Sequence, residues 1–164
     1  MKVSEMLLAQ LEREVPATRK ALERVPEGTA EFKPHPKSMA MGYLSDLVAT
    51  MFGWVATMVG SEFLDLAAGS KSETGSGAER LAMFDESVAK AREALAGTTD
   101  EHLMQPWQLR MGGTVLDEKP RHVMIVDTFS HLAHHRGQLS VYLRLNEQPV
   151  PSIYGPTADE GWQS

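Results

Sequence analysis

Asp127-Thr-Phe-Ser-His131-Leu-Ala-His134-His135-Arg136-Gly137-Gln138-Leu139-Ser-Val-Tyr142 decides the reading of this 164-residue chain. At roughly 100° of rotation per residue, Asp127, His131, His134, His135, Gln138 and Tyr142 share one arc of a helix. Ile125, Phe129, Leu132, Leu139 and Leu143 share the arc beside it. One helix thus carries an apolar stripe for a core and a polar stripe at its edge. His131 and His135 stand one turn apart, a spacing at which two imidazoles can grip one cation. Zinc, nickel or iron would suit such ligands. The same stretch also reads as a solvated helix face with no chemistry. Asp127, one turn before His131, is either an acceptor that orients that ring or a carboxylate near a helix start, favoured by the helix dipole.

Outward from this stretch, the helix begins near Pro120, a good first-turn residue, and runs to about Leu145. Before it, Trp107 to Met111 and Thr114 to Leu116 flank Gly112-Gly113 and predict a small β-hairpin. Leu81, Phe84, Val88, Ala91 and Leu95 define a helix over about Ala78 to Ala96, ended by Gly97. Gly69 to Gly77 reads as a polar connector. A helix almost apolar all round covers about Met39 to Ala68, with Ser38 as its N-cap. The first helix covers about Val3 to Val25 on Leu7, Leu8, Leu11, Val15 and Leu22, with Pro16 bending or breaking it and Pro26-Glu27-Gly28 stopping it. The tail from Pro149 is rich in turn formers and carries Tyr154 and Trp162. Four such helices predict an all-α four-helix bundle as one domain over 1–164, with the small hairpin before the last long helix. The long third connection favours an up-down-down-up order.

Composition narrows the chemistry. The 16 Lys and Arg against 22 Asp and Glu leave a net charge of −6, and Asp117 and Glu118 interrupt the Arg110, Lys119, Arg121 group. Nucleic acid is therefore a poor partner. Cysteine is absent, which removes disulfides, thiolate-ligated zinc and thiol nucleophiles, and fits a cytoplasmic location. No run of about 18 apolar residues predicts a membrane span, and Met1 to Glu5 lacks the pattern of a signal peptide. The many apolar residues of the second helix predict a homodimer.

His131-Leu-Ala-His134-His135-Arg136-Gly137-Gln138-Leu139 resembles the signature of the DinB-like family of damage-inducible, metal-dependent bundle proteins. His35-Pro-Lys-Ser-Met39, Gly42 and Gly53-Trp54 resemble that family's second-helix region. Met104-Gln-Pro-Trp107 with Gly112-Gly113 is similar to its hairpin, and Pro151-Ser-Ile-Tyr154-Gly155-Pro156-Thr-Ala-Asp-Glu160 to its C-terminal segment. The resemblance covers nearly the whole chain. It implies a four-helix bundle, often a homodimer, with a divalent metal held between helices by three histidines. Two of these would be His131 and His135. In register the third position falls at Leu47, which cannot ligate a metal, and no histidine lies between Met39 and Glu101.

That departure shapes the functional expectation. The family includes thiol-dependent S-transferases and isomerases, so the resemblance implies a metal-dependent transferase or hydrolase acting on a small molecule or low-molecular-weight thiol, and a link to stress response. Asp127 or Gln138 would orient the ligands or bound water. With Leu47 in place of a ligand, the metal site is incomplete and its metal weak or absent. The alternative is a metal-free, non-catalytic bundle, homodimeric or ligand-binding, with its histidines hydrogen-bonded in a pocket. Ala40, Tyr43, Leu44, Leu47, Met51, Trp54 and Met58 share one arc of the second helix. They read either as packed core or as the roof of an apolar cleft. Asp46 and Thr50 are poor substitutes for a lost ligand. His35 reads as a loop histidine, His102 and His122 as exposed residues, and Trp54 and Trp107 as core and hairpin packing.

Overall fold

Periodic leucines place α1 over Val3–Glu23, with Leu7, Leu11, Ala21 and Leu22 buried. The computed structural model describes residues 2–69 and 75–161. Pro16 does not break α1. Pro16 and Glu12 are both exposed, so water can take the Glu12 carbonyl that loses its helical donor.

α2 covers Met41–Gly60 and is shorter than the apolar pattern predicts. The backbone becomes extended at Ser61 and enters strand β1 (Phe63–Asp65), followed by a 3₁₀ turn over Leu66–Ala68. Ala40, not Ser38, occupies the N-cap, without a side-chain bond. By length and composition α2 is apolar enough to cross a bilayer, which a search for an unbroken apolar run misses. Half of that stretch is buried, and α1, α3 and α5 pack against it. Along its predicted inward arc, Leu44, Met51 and Met58 are buried and Leu47 and Trp54 half-buried. Tyr43 departs from the prediction and is 57% exposed.

α3 covers Gly77–Gly97, capped by the Ser76 hydroxyl, which accepts from the Glu79 N–H at 3.2 Å. Residues 70–74 of the polar connector, and Trp162, lie outside the described residues. A short helix not predicted from the sequence, α4, covers Asp100–Leu103. The Asp100 carboxylate accepts from the first N–H groups of α1, Val3 at 3.0 Å and Ser4 at 3.1 Å. These donors have no intrahelical partner, so the contact both caps α1 and seats α4.

β2 (Pro106–Met111) and β3 (Thr114–Pro120) form the predicted hairpin. Gly112 and Gly113 both have positive φ, 56° and 81°, the requirement of a tight two-residue turn that follows strand twist. The hairpin is not alone. β1 pairs with β2 in parallel, Leu64 opposite Leu109, so the sheet has three strands in the order β1-β2-β3. Asp65 binds that turn, accepting from Gly112 N at 2.9 Å and Gly113 N at 2.8 Å. α5 (Arg121–Leu145) follows β3 directly and buries Ile125, Phe129, Leu132, Leu139 and Leu143. Among the described residues the fold is therefore mostly helical, with five α-helices and a three-stranded sheet in place of a purely helical fold with an isolated hairpin.

Two arginines of α5 are buried. Arg121 donates to the carbonyls of Met58 (3.0 Å), Ser61 (3.0 Å) and Pro106 (2.7 Å), and pairs with Glu62 at 2.8 Å. Arg136 pairs with the equally buried Glu14 of α1 at 2.6 Å and donates to Thr18 Oγ1 and Tyr154 Oη, both at 2.7 Å. Tyr154 donates in turn to Glu14 at 2.9 Å, which ties the C-terminal segment to α1. Removing one partner of such a pair strands the other charge without water, at a cost of about 3–5 kcal/mol. Glu14→Leu should therefore lower the urea midpoint strongly, and Glu14→Leu/Arg136→Met should recover much of the loss. A double variant as unstable as the single one would show that the pair is not the source of the cost.

Candidate functional site

The histidine helix presents its polar arc toward α2 and the sheet. His135 is buried, whereas His131 and His134 are exposed. His135 Nδ1 lies 2.8 Å from Gln138 Oε1, and an amide oxygen only accepts, so Nδ1 carries the proton. The bare Nε2 of a neutral His135 then faces His131 Nε2 at 2.8 Å, and His131 must donate that bond. The Gln138 amide nitrogen donates to His134 Nε2 at 3.0 Å. Trp54 of α2 closes the other side, its ring centroid 5.7 Å from that of His131.

Burial, followed by the neighbouring charges of His135 and His134, holds the His131 imidazole below its ordinary titration range. The neutral form is therefore favoured in the fold.

His131 also forms part of the wall of a cavity of about 360 Å³ between α2, α5 and the sheet. α2 contributes Trp54, Thr57 and Met58, and α5 contributes Met124, Asp127 and Thr128 beside His131. The sheet contributes Leu64, Trp107, Leu109 and Asp117. Three of these follow from register: Leu64 pairs with Leu109, and Leu109 with Asp117, so one row crosses all three strands. Trp107 precedes Leu109 by two residues and shares its face. The Trp107 indole N–H lies 3.4 Å from Ser61 Oγ. Both Trp54 and Trp107 thus line a cavity, beyond the packing role predicted for them.

The other candidates fall elsewhere. Asp127 is exposed, lines the same cavity as His131 and accepts from Lys119 at 3.0 Å. Asp46 is buried and bonded to Arg80 of α3 at 3.0 Å. Thr50 bonds back to the Asp46 carbonyl at 3.0 Å. His35 is an exposed loop residue whose Nδ1 accepts from Lys37 N at 3.2 Å. His102 and His122 are half-buried rather than exposed, each ring against a backbone carbonyl, Val59 at 2.9 Å and Leu103 at 3.1 Å.

The donor set offers a metal two imidazole nitrogens. Tetrahedral zinc with bonds of about 2.05 Å would hold them about 3.3 Å apart, so the rings would part by roughly half an ångström. Among the described residues no group of three or more His, Asp or Glu converges on one point. The residues present fit one edge of a coordination shell, with water needed for the remainder.

The chain is thus a mainly helical protein with a hydrogen-bonded histidine pair beside an apolar cavity. A family model, the DinB superfamily, matches residues 10–139, and the chain belongs to that superfamily. It is similar in fold to a DinB-like protein from Bacillus cereus, at 19% identity and a TM-score of 0.73, covering 92% of this chain and 97% of that one. A DinB-like protein from Bacillus subtilis is similar at 18% identity and a TM-score of 0.71, covering 90% and 97%. No curated protein matches the sequence.

The histidine environment sets a pH dependence. An unfolded histidine titrates near 6.5 and His131 lower in the fold, so the unfolded state binds more protons between the two values. His131 contributes its full share of stability above about pH 6.5 and loses it as pH falls toward the folded value. Urea unfolding from pH 7 to 5.5 should show falling stability, with a shallower slope in His131→Gln. Equal slopes would contradict the assignment.

Proposed function

We propose that this DinB superfamily protein binds a small, largely apolar organic molecule in the cavity between α2, α5 and the sheet, and presents it to the His131–His135 pair. The observation that carries this reading is the cavity itself. Its volume of about 360 Å³ lies within the range of small-molecule sites, and its wall is mainly aromatic, aliphatic and thioether surface with few polar groups. His131 is the one wall residue that also belongs to the histidine pair. Ligand-observed NMR should detect 2-phenylethanol, a neutral aromatic probe, and Leu109→Trp should abolish the signal by filling the space while circular dichroism stays unchanged. Absence of binding, or equal binding in the filled variant, would sink the reading.

The helix order that supports this placement is up-down-down-up. Glu12 meets Arg92 at 2.6 Å and Arg19 meets Asp85, pairings in opposite sense along α1 and α3. Asp46 meets Arg80, and Gly53 faces Ser87, pairings in the same sense along α2 and α3. Thr128 approaches Met58, and the Tyr142 hydroxyl donates to Met39 O at 3.1 Å, so α5 runs against α2.

A second reading, a metal-dependent transferase or hydrolase, is favoured by one observation: Gln138 holds His135 in the tautomer whose Nε2 carries no proton. A divalent metal held there would lower the pKa of a bound water or thiol. His131 and His135 would hold it, and Gln138 would keep the His135 ring in place. Leu47 lies seven residues before Trp54 on α2, and the Trp54 ring lies tilted against that of His131. With α2 and α5 opposed, two turns from Trp54 brings Leu47 level with His135 and Gln138. Mass spectrometry of purified protein should then find metal that His131→Ala/His135→Ala loses. Leu47→His should tighten zinc binding by about tenfold or more, at least the factor that an outer-shell ligand partner is worth. No metal in the parent and no gain in Leu47→His would exclude the second reading.

A further inference from the structure

We infer that the cavity selects an organic cation, a small aromatic or branched aliphatic amine, with its ammonium group at Asp117 and Asp127. The inference rests on the cavity-binding reading above and names the ligand class. Among the described residues that wall the cavity, Asp117 and Asp127 are the only Asp or Glu, and none is Lys or Arg. They come from different elements, β3 and α5, and converge on one point.

That point already holds an ammonium group. Lys119 Nζ lies 3.0 Å from Asp117 Oδ2 and 3.0 Å from Asp127 Oδ2. The gap between the carboxylates is therefore the size of an alkylammonium head. Lys119 shares the strand face of Asp117, two residues along β3, so its side chain reaches the position from the rim. Two carboxylates against one ammonium leave a net negative charge at the mouth. All three side chains are about half exposed, so exchanging Lys119 for a ligand's ammonium costs little, since an exposed ion pair contributes about 0–1 kcal/mol.

The remainder of the wall suits the organic part of such a ligand. Trp54 and Trp107 offer indole faces, the strongest of the aromatic surfaces for a cation. Leu64, Leu109 and Met124 offer hydrocarbon and thioether surface for a ring or branched chain. A carboxylate ligand of the same shape would bring like charge to Asp117 and Asp127. A neutral ligand would gain only the buried area.

Calorimetric titration of the full chain at pH 7 with 2-phenylethylamine, 2-phenylethanol and phenylacetate tests this. The amine should bind up to about fivefold tighter than the alcohol, the most that a half-exposed ion pair supplies, with phenylacetate the weakest. Asp117→Asn/Asp127→Asn should erase the gap between amine and alcohol while the alcohol still binds. Lys119→Met should strengthen amine binding, because the competing ammonium is gone. Equal binding of amine and alcohol, or a preference for phenylacetate, would overturn the cation inference and leave the cavity reading standing. Failure of all three probes would overturn both.

Discussion

The buried guanidinium of Arg121 is the constraint on which the site depends. It is 1% exposed, and its donors reach the end of α2, the segment leading into β1, and the start of β2. The last carbonyls of a helix have no partners within it and lie at its negative end. Arg121 satisfies Met58 O there and Ser61 O one residue beyond the helix, and so holds the end of α2 against the start of α5. The same side chain opens α5. The exit of α2, the seat of the sheet and the entry of α5 are therefore one knot, and the cavity walls are the three elements that leave it.

Arg136 does for the rotation of α5 what Arg121 does for its position. It faces α1, where Glu14, Thr18 and Tyr154 take its donors. A helix held with Arg136 toward α1 must turn His131 and His135 about the axis toward α2. His135 is then buried against neighbours while His131 reaches the cavity. The histidine geometry is thus set by a residue that touches neither ring through its charged group. Conformational freedom is further reduced by Gln138, which bridges His135 and His134.

Much of this was legible in the sequence, and the remainder has physical reasons for being hidden. The long helices could be read because each buries one stripe, and the hairpin because Gly112-Gly113 answers a turn that needs two positive φ angles. The histidine arc followed from the same rotation, and its likeness to the DinB family signature agrees with the family match. β1 escaped because three residues, Phe-Leu-Asp, show no period, and its apolar residues extended the pattern of α2. Arg121 and Arg136 look like surface charges until their partners are seen, since those partners include backbone carbonyls and, for Arg136, Glu14 and Thr18 more than a hundred positions away. Asp127 sits on the arc that periodicity assigns it. It turns to Lys119 because β3 brings an ammonium beside it, which no helical wheel contains.

Leu47 shows why position and chemistry must be read separately. Its side chain is half-buried against the core and offers no polar donor. An imidazole pair with no third donor must satisfy its own nitrogens, because a buried ring nitrogen without a partner is costly. His131 and His135 do this by bonding to one another at 2.8 Å, and Gln138 takes the remaining His135 proton. Both nitrogens of His135 are therefore partnered, and a metal held there would take the place of the bond between His131 and His135. The apolar cavity beside it is walled by the same helix, by α2 and by the sheet. An organic ligand seated there, as proposed, would meet His131 and leave the bond between His135 and Gln138 in place.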